Sequence, residues 1–410
     1  MVLDAEAIRR DFPVLTRDHS PRPPLVYLDS GCMSLKPTPV IEAVSEYYTQ
    51  HSACSGRSIH ALASEVTRRV ERTRATVARL IGAPRPEGVV FTRNTTESIN
   101  LVAHGLGLGR GDGVVISDRE HNSNMVPWLR LRETAGIDLT ILPSEDDGTL
   151  DTDRMADAVS GGGVRLVSMA HTTNLDGYTM PMEAISDIAH DAGALVFADA
   201  AQSVPNRPVD VGALSVDLLA FSVHKMLGPT GVGVLWGRQE VLEGLDPYNV
   251  GGDTVVNVTR GGAEYQPPPH RFEAGLQDYA GIYGTEAAVA YLRELGLDQV
   301  WAHDVALNAR ATEAVADIPG VSVVGPADPA ERSGILTLAV EGVASHEVGM
   351  AMDEIGNVAV RTGQHCNHAW FAEHGMEGAV RATFYVYNTP GDVDVFARVL
   401  EEALEALRGA

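Results

Sequence analysis

The chain is poorest in lysine. Of 31 basic side chains among its 410 residues, only Lys36 and Lys225 are lysines and the rest are arginines. A guanidinium keeps its proton in a protein and cannot act as an amine nucleophile. Apart from the N-terminus, any imine chemistry therefore falls to one of two side chains. Cysteine is scarce too: Cys32, Cys54 and Cys366 make no disulfide framework and no paired metal-knuckle spacing. Positive charge is short overall, with 31 Lys plus Arg against 55 Asp plus Glu and a formal net charge of −24. Such a surface repels phosphate backbones and anionic lipid, and no basic patch offsets it, so neither nucleic acid nor a membrane surface is an expected partner. No apolar run reaches the roughly 18 residues of a membrane span. Met1 to Pro13 is charged and lacks the apolar core of a signal peptide. A soluble, cytoplasmic protein is expected.

Apolar residues make up 44% of the chain and charged residues 21%, enough to bury a sizeable core. Short apolar runs alternate with helical patterns. Strands are predicted at Leu25–Leu28, Val89–Thr92, Val114–Ser117, Leu139–Leu142, Leu166–Ala170, Ala194–Ala198, Leu218–Ser222 and Val232–Trp236. Helices fit between most of them, among them Val40–His51, Ser64–Ile81 and Glu97–His104. Apolar strands without period-2 alternation, separated by helices, indicate a buried, mainly parallel sheet in an α/β domain. The Gly- and Pro-rich stretch Asn249–Pro269 reads as a long loop. Beyond a bridging helix around Thr285–Leu295, strands at Ile335–Val340, Val358–Arg361 and Thr383–Tyr387 alternate with helices as a smaller α+β domain. The expected division is a large α/β unit over 22–284 and a small unit over 285–410, joined by the N-terminal arm 1–21.

Open parallel sheets bind ligands outside the carboxyl ends of their strands. Polar residues collect there. Thr95 and Thr96 open a helix after the Val89 strand, where hydroxyls and free N–H groups suit a phosphate or serve as an ordinary cap. His121 follows the Val114 strand, Asn174 the Leu166 strand, Asp199 and Gln202 the Ala194 strand, and His224 and Lys225 the Leu218 strand. Pyridoxal phosphate (PLP) needs this inventory: an amine for its aldehyde, a carboxylate for its ring nitrogen, a flat group against the ring and anion donors for its phosphate. Asp199, ending an apolar strand, needs a cationic partner such as a pyridinium. Lys36, before Pro37, reads as structural or close to substrate.

Seven segments run in order at compatible spacing: Tyr27-Leu28-Asp29-Ser30, Ile59-His60, Asn94-Thr95-Thr96-Glu97, Glu120-His121-Asn122-Ser123-Asn124, Phe197-Ala198-Asp199-Ala200-Ala201-Gln202, Ser222-Val223-His224-Lys225 and Arg271-Phe272-Glu273-Ala274-Gly275. From about residue 25 onward the chain thereby resembles the class V, fold-type I PLP enzymes. Arg361-Thr362-Gly363-Gln364-His365-Cys366 and Arg381 to Thr389 resemble the SufS-type cysteine desulfurases within that class. The resemblance implies a homodimer with PLP imine-bonded to Lys225, which also shuttles protons. It implies that His121 stacks on the ring, Asp199 pairs with the ring nitrogen and Gln202 touches the ring hydroxyl. It further implies that Thr95, Thr96, Ser222 and His224 hold the phosphate, that Asn174, Arg361 and Arg381 take the amino-acid substrate, and that Cys366 accepts its sulfur before passing it to an acceptor protein or small thiol.

The residues around Cys366 support that role in part. Arg361, His365 and His368 flank it, and cations beside a thiol favour the nucleophilic thiolate. Gly363 permits movement. A plain structural thiol and a metal site with His365 and His368 are the other readings, the latter without an evident fourth ligand. The chain also departs from the family: Gln364-His365 stands for two histidines, Cys32 for a small residue near substrate, and Leu276-Gln277-Asp278-Tyr279 for a run that reaches the partner's phosphate, where Tyr279 is a candidate substitute donor. Rival functions are a PLP lyase on a cysteine or selenocysteine derivative, an aminotransferase or epimerase of the same class, and a non-catalytic scaffold.

Overall fold

The computed structural model describes residues 3–409. A short strand, β1 (Val26–Tyr27), precedes the helices Thr38–Gln50 and Ala61–Leu80. Seven strands then follow: β2 (Val89–Thr92), β3 (Gly113–Ser117), β4 (Asp138–Leu142), β5 (Val164–Ala170), β6 (Leu195–Asp199), β7 (Leu218–Ser222) and β8 (Gly233–Gly237). They form one sheet in the order β2-β8-β7-β6-β5-β3-β4, in which β8 alone runs against the others.

Helices cover both faces, which is why the central strands lack polar alternation. Successive residues of β7 serve opposite cores. Leu218 and Ala220 pack with Ile99, Trp128 and Phe197, whereas Leu219 and Phe221 pack with Val77, Ile185 and Ile282. The predicted strands of this sheet appear within a residue or two of their expected bounds.

A second sheet follows. Its strands are β11 (Val321–Val324), β12 (Ile335–Val340), β14 (Arg361–Gly363) and β15 (Ala379–Thr383), antiparallel in the order β11-β12-β15-β14. The helices Leu297–Val315, Ser345–Gly356 and Pro390–Arg408 cover it. The last buries Val393, Phe396, Leu400 and Leu404 on one face, as its periodicity predicts, and starts from a Thr389–Asp392 capping box.

Three expectations are corrected. Leu25–Leu28 does not join the large sheet. Its Val26–Tyr27 portion pairs in parallel with β13 (Val358–Ala359), and Val26 and Leu28 lie in the smaller sheet's core. A short apolar run carries no record of its partner. Asn249–Pro269 holds a hairpin, β9 (Val255–Thr259) with β10 (Gly262–Tyr265), whose exposed faces and glycines hide the strand pattern. The strand expected at Thr383–Tyr387 ends at Thr383. Beyond it Phe384, Tyr385 and Tyr387 are buried without a ladder, and the Tyr385 hydroxyl donates to the Pro205 carbonyl at 2.8 Å.

The two sheets meet through the chain after β1. Asp29 bridges to Thr383, and Thr383 N–H donates to the Leu28 carbonyl at 2.7 Å. That crossing carries Gly31 and Cys32 to the carboxyl ends of the large sheet. Among the described residues no helix is long and apolar enough to cross a membrane.

Candidate active site

A cavity of about 240 Å3 opens at that edge, and the candidate residues that follow β2, β3, β5, β6 and β7 all line it. Its first wall is the N-terminus of the helix Thr95–Gly105. Asn94 caps this helix, its Oδ1 accepting from Glu97 N–H at 2.9 Å. Ser222 Oγ accepts from Thr95 N–H at 2.8 Å and lies 2.7 Å from Thr95 Oγ1, tying the helix to the end of β7. Thr96 Oγ1 meets Ser123 Oγ at 2.7 Å. Gly233 permits the approach: a Cβ there would stand 2.5 Å from Asn94 Cα. Backbone N–H groups and hydroxyls so gathered suit a phosphate. His224 adds a neutral imidazole, since burial pushes its pKa down to about 4.

Asp199 is buried in the cavity, and Lys225, half-buried, lines it too. Burial raises the Asp199 pKa, opposed by the Lys225 charge and by Ala201 N–H, which donates at 3.0 Å. Burial likewise lowers that of Lys225, and no hydrogen bond holds its Nζ among the described residues. A carboxylate so placed favours a second cation beside it. His121 caps the helix Asn122–Thr134 through Nδ1, which accepts from Ser123 N–H at 3.0 Å. Its ring is neutral, its pKa pushed to about 3 by burial and nearby cations. Gln202 is turned toward the crossing segment, its Nε2 donating to the Gly31 carbonyl at 2.8 Å. Together these groups could hold a phosphorylated pyridine bearing an aldehyde.

The opposite wall comes from the smaller sheet. Arg381 is buried and donates from Nη1 to the Asn174 carbonyl at 2.7 Å, while its Nε has no partner. A Cβ on Gly31 would lie 3.1 Å from Arg381 Nη2, so glycine makes room for the guanidinium. Arg361 donates from Nη1 to Cys32 Sγ at 3.0 Å.

His365 and Cys366 both adopt left-handed backbone, with φ of 48° and 63°. The loop is pinned in that shape. Asn174 Nδ2 donates to the His365 carbonyl at 2.7 Å, and Asn122 N–H to the Cys366 carbonyl at 2.7 Å. Asn367 Nδ2 donates to the carbonyls of Arg119 and Glu120 at 3.0 and 3.2 Å. Beyond Gly363, residues 365–367 are thus tied by hydrogen bonds to the segments around Arg119, Asn122 and Asn174. The expected cation set also shrinks. His365 is neutral, its pKa driven to about 2 by burial and by Arg381 and Arg361. Separately, Asn122 Nδ2 lies 2.7 Å from Nδ1 of the exposed His368.

Two residues stand apart from the cavity. Tyr279 is buried at the start of the helix Tyr279–Leu295. Lys36 Nζ donates to the His224 carbonyl at 2.9 Å, and burial pushes its pKa to about 7. Asn367 and Gly233 escape sequence reasoning, and Asn122 stands in a recognised segment without a sign of its hold on the Cys366 carbonyl. Asn367 lies 248 residues from the Arg119 carbonyl that it holds, and no local pattern marks it.

The family described as "Aminotransferase class-V" matches residues 26–396. A probable cysteine desulfurase of Streptomyces coelicolor is 41% identical over 98% of this chain and 97% of its own. A cysteine desulfurase of Klebsiella pneumoniae is 39% identical over 96% and 97%. Among solved structures, the S-sulfonic acid form of the Escherichia coli cysteine desulfurase CsdA superposes with a TM-score of 0.91 at 35% identity, over 99% of this chain and 100% of that one. The apo cysteine desulfurase of Thermococcus onnurineus superposes at 0.93 with 36% identity, over 100% and 99%. The chain belongs to the class-V aminotransferase family.

Proposed function

We propose that the chain is a PLP-dependent cysteine desulfurase that converts L-cysteine to L-alanine and leaves the sulfur as a persulfide on Cys366. The observation that carries this reading is one cavity holding Lys225, Asp199 and Cys366 together. Thr95, Thr96, Ser222 and His224 would hold the phosphate, Asp199 the ring nitrogen, Gln202 the ring hydroxyl and His121 a ring face. Bound there, PLP supplies an aldehyde for the substrate amine and a ring that absorbs the electron pair left at Cα. Lys225 Nζ takes and returns the proton at Cα, and its burial favours the neutral amine that this requires. Arg381, with Arg361 and Asn174 beside it, binds the substrate carboxylate. Cys366 Sγ attacks the substrate sulfur; the Cys366 S–S bond forms as the Cβ–S bond breaks, its electron pair staying on Cβ, which takes up a proton to become the alanine methyl group.

Residues 22–284 form the cofactor-binding unit in this reading, and 285–410 with the arm 1–21 form its cover. The exposed Ile59, Leu276, Val256 and Val258 support a homodimer that covers them. Three free thiols support a reducing, cytoplasmic setting, and the persulfide sulfur then passes to an acceptor protein or small thiol. The test is alanine and sulfide production from L-cysteine and a reductant by PLP-loaded protein. Cys366→Ala abolishes turnover; full turnover by that variant replaces this reading with a lyase.

A further inference from the structure

Two of the three cysteines, Cys32 and Cys366, line the same cavity. Cys54 does not, and its Sγ sits 3.6 Å from Ser58 Oγ. Cys32 reaches the cavity on the segment that crosses from β1, where its N–H donates to the Asp29 carbonyl at 3.0 Å. Arg361, five positions ahead of Cys366 in sequence, points its guanidinium at Cys32 Sγ. Both sulfurs lie within electrostatic range of Lys225 and of Arg381.

The pinned loop matters here. With its backbone held by Asn122 and Asn174, side-chain rotation is the way for Cys366 to redirect its sulfur without breaking those bonds. A sulfur atom appended to it must leave by way of a group on the cavity wall or one entering from outside. His365 is 4% exposed and lines the cavity, and neither of its ring nitrogens has a partner.

We infer that Cys32 is a second sulfur-carrying thiol of this site, which receives the sulfane sulfur from Cys366 inside the cavity. The inference rests on the persulfide reading above. Cys32 Sγ attacks the outer sulfur of the Cys366 persulfide, and a new S–S bond forms on Cys32. The old S–S bond breaks with its electron pair on Cys366 Sγ, which takes up the proton that Cys32 releases. The transferred sulfur is neither oxidised nor reduced, so no co-reactant enters. The exchange frees Cys366 for another substrate while the first sulfur waits on Cys32.

The experiment is peptide mapping of the PLP-loaded protein after L-cysteine is added without other thiols, followed by alkylation. The expected result is a mass increase of one sulfur atom on the Cys366 and Cys32 peptides and none on the Cys54 peptide. Cys366→Ala loses the increase at Cys32 as well, and Cys32→Ala and Cys32→Ser keep it at Cys366. A loaded Cys366 beside an unloaded Cys32 through several turnovers overturns this step alone. So does a loaded Cys32 in Cys366→Ala. If Cys366 stays unloaded in the parent and in both Cys32 variants, the persulfide reading falls, and this step with it.

Discussion

Arg361 and Arg381 face each other in direct register across the β14–β15 ladder. Like charges opposite one another destabilise a sheet. Each guanidinium is instead drawn to its own partner, Arg381 Nη2 to Asp29 Oδ1 at 3.8 Å and Arg361 Nη1 to Cys32 Sγ at 3.0 Å. Neither is a close bidentate carboxylate pair. The ladder thus presents two incompletely paired cations at the cavity wall, where an amino-acid carboxylate is the natural counter-ion.

Arg381→Lys removes the planar fork and keeps the charge. The expected outcome is a fall of about a hundredfold in kcat/KM for L-cysteine, equivalent to about 3 kcal/mol, carried mainly by KM. Steady-state kinetics check it, with cofactor absorbance unchanged.

Gly233→Ala places a methyl group 2.5 Å from Asn94 Cα and forces the phosphate-facing helix start away from β8. Overpacking of this kind costs about 1–3 kcal/mol. Cofactor affinity should fall by about tenfold or more, read by titrating PLP into the apoprotein.

Asn367→Ala leaves the carbonyls of Arg119 and Glu120 without their donor. A loss of about 1–3 kcal/mol in stability is expected by urea unfolding. Faster hydrogen exchange at residues 364–368 with an unchanged cofactor spectrum would place the damage in the Cys366 loop.

Acid should weaken the fold through its buried neutral histidines. His171 is 4% exposed, and burial holds its pKa near 3, below the unfolded value of about 6.5. A depressed histidine pKa means that the unfolded chain binds the proton first. The contribution is therefore complete above pH 6.5 and is lost as pH falls toward 3, by up to about 1.4 kcal/mol per pH unit. His171→Gln should flatten that slope by one histidine's share in urea midpoints measured across this range.

The cavity is legible in the sequence where its residues sit at strand ends. Asp199 closes the apolar run of β6 and Lys225 follows that of β7, so each position can be inferred from its own ten-residue neighbourhood. The loop around Cys366 is not legible in this way. Asn122 and Asn174 stand at strand ends without any sign that they anchor this loop, Asn367 carries no local mark at all, and His365 reads as a cation until burial beside two arginines makes it neutral. The contact of Arg361 with Cys32 spans 329 positions.

By itself the sequence determined the layered α/β architecture, the near-absence of lysine and therefore which amine can act. It did so because apolar periodicity and residue chemistry are local properties. Only the tertiary structure decided which histidines lose their charge and which segments hold the Cys366 loop. Those outcomes depend on desolvation and on hydrogen bonds between segments brought together solely by the docking of one sheet on the other.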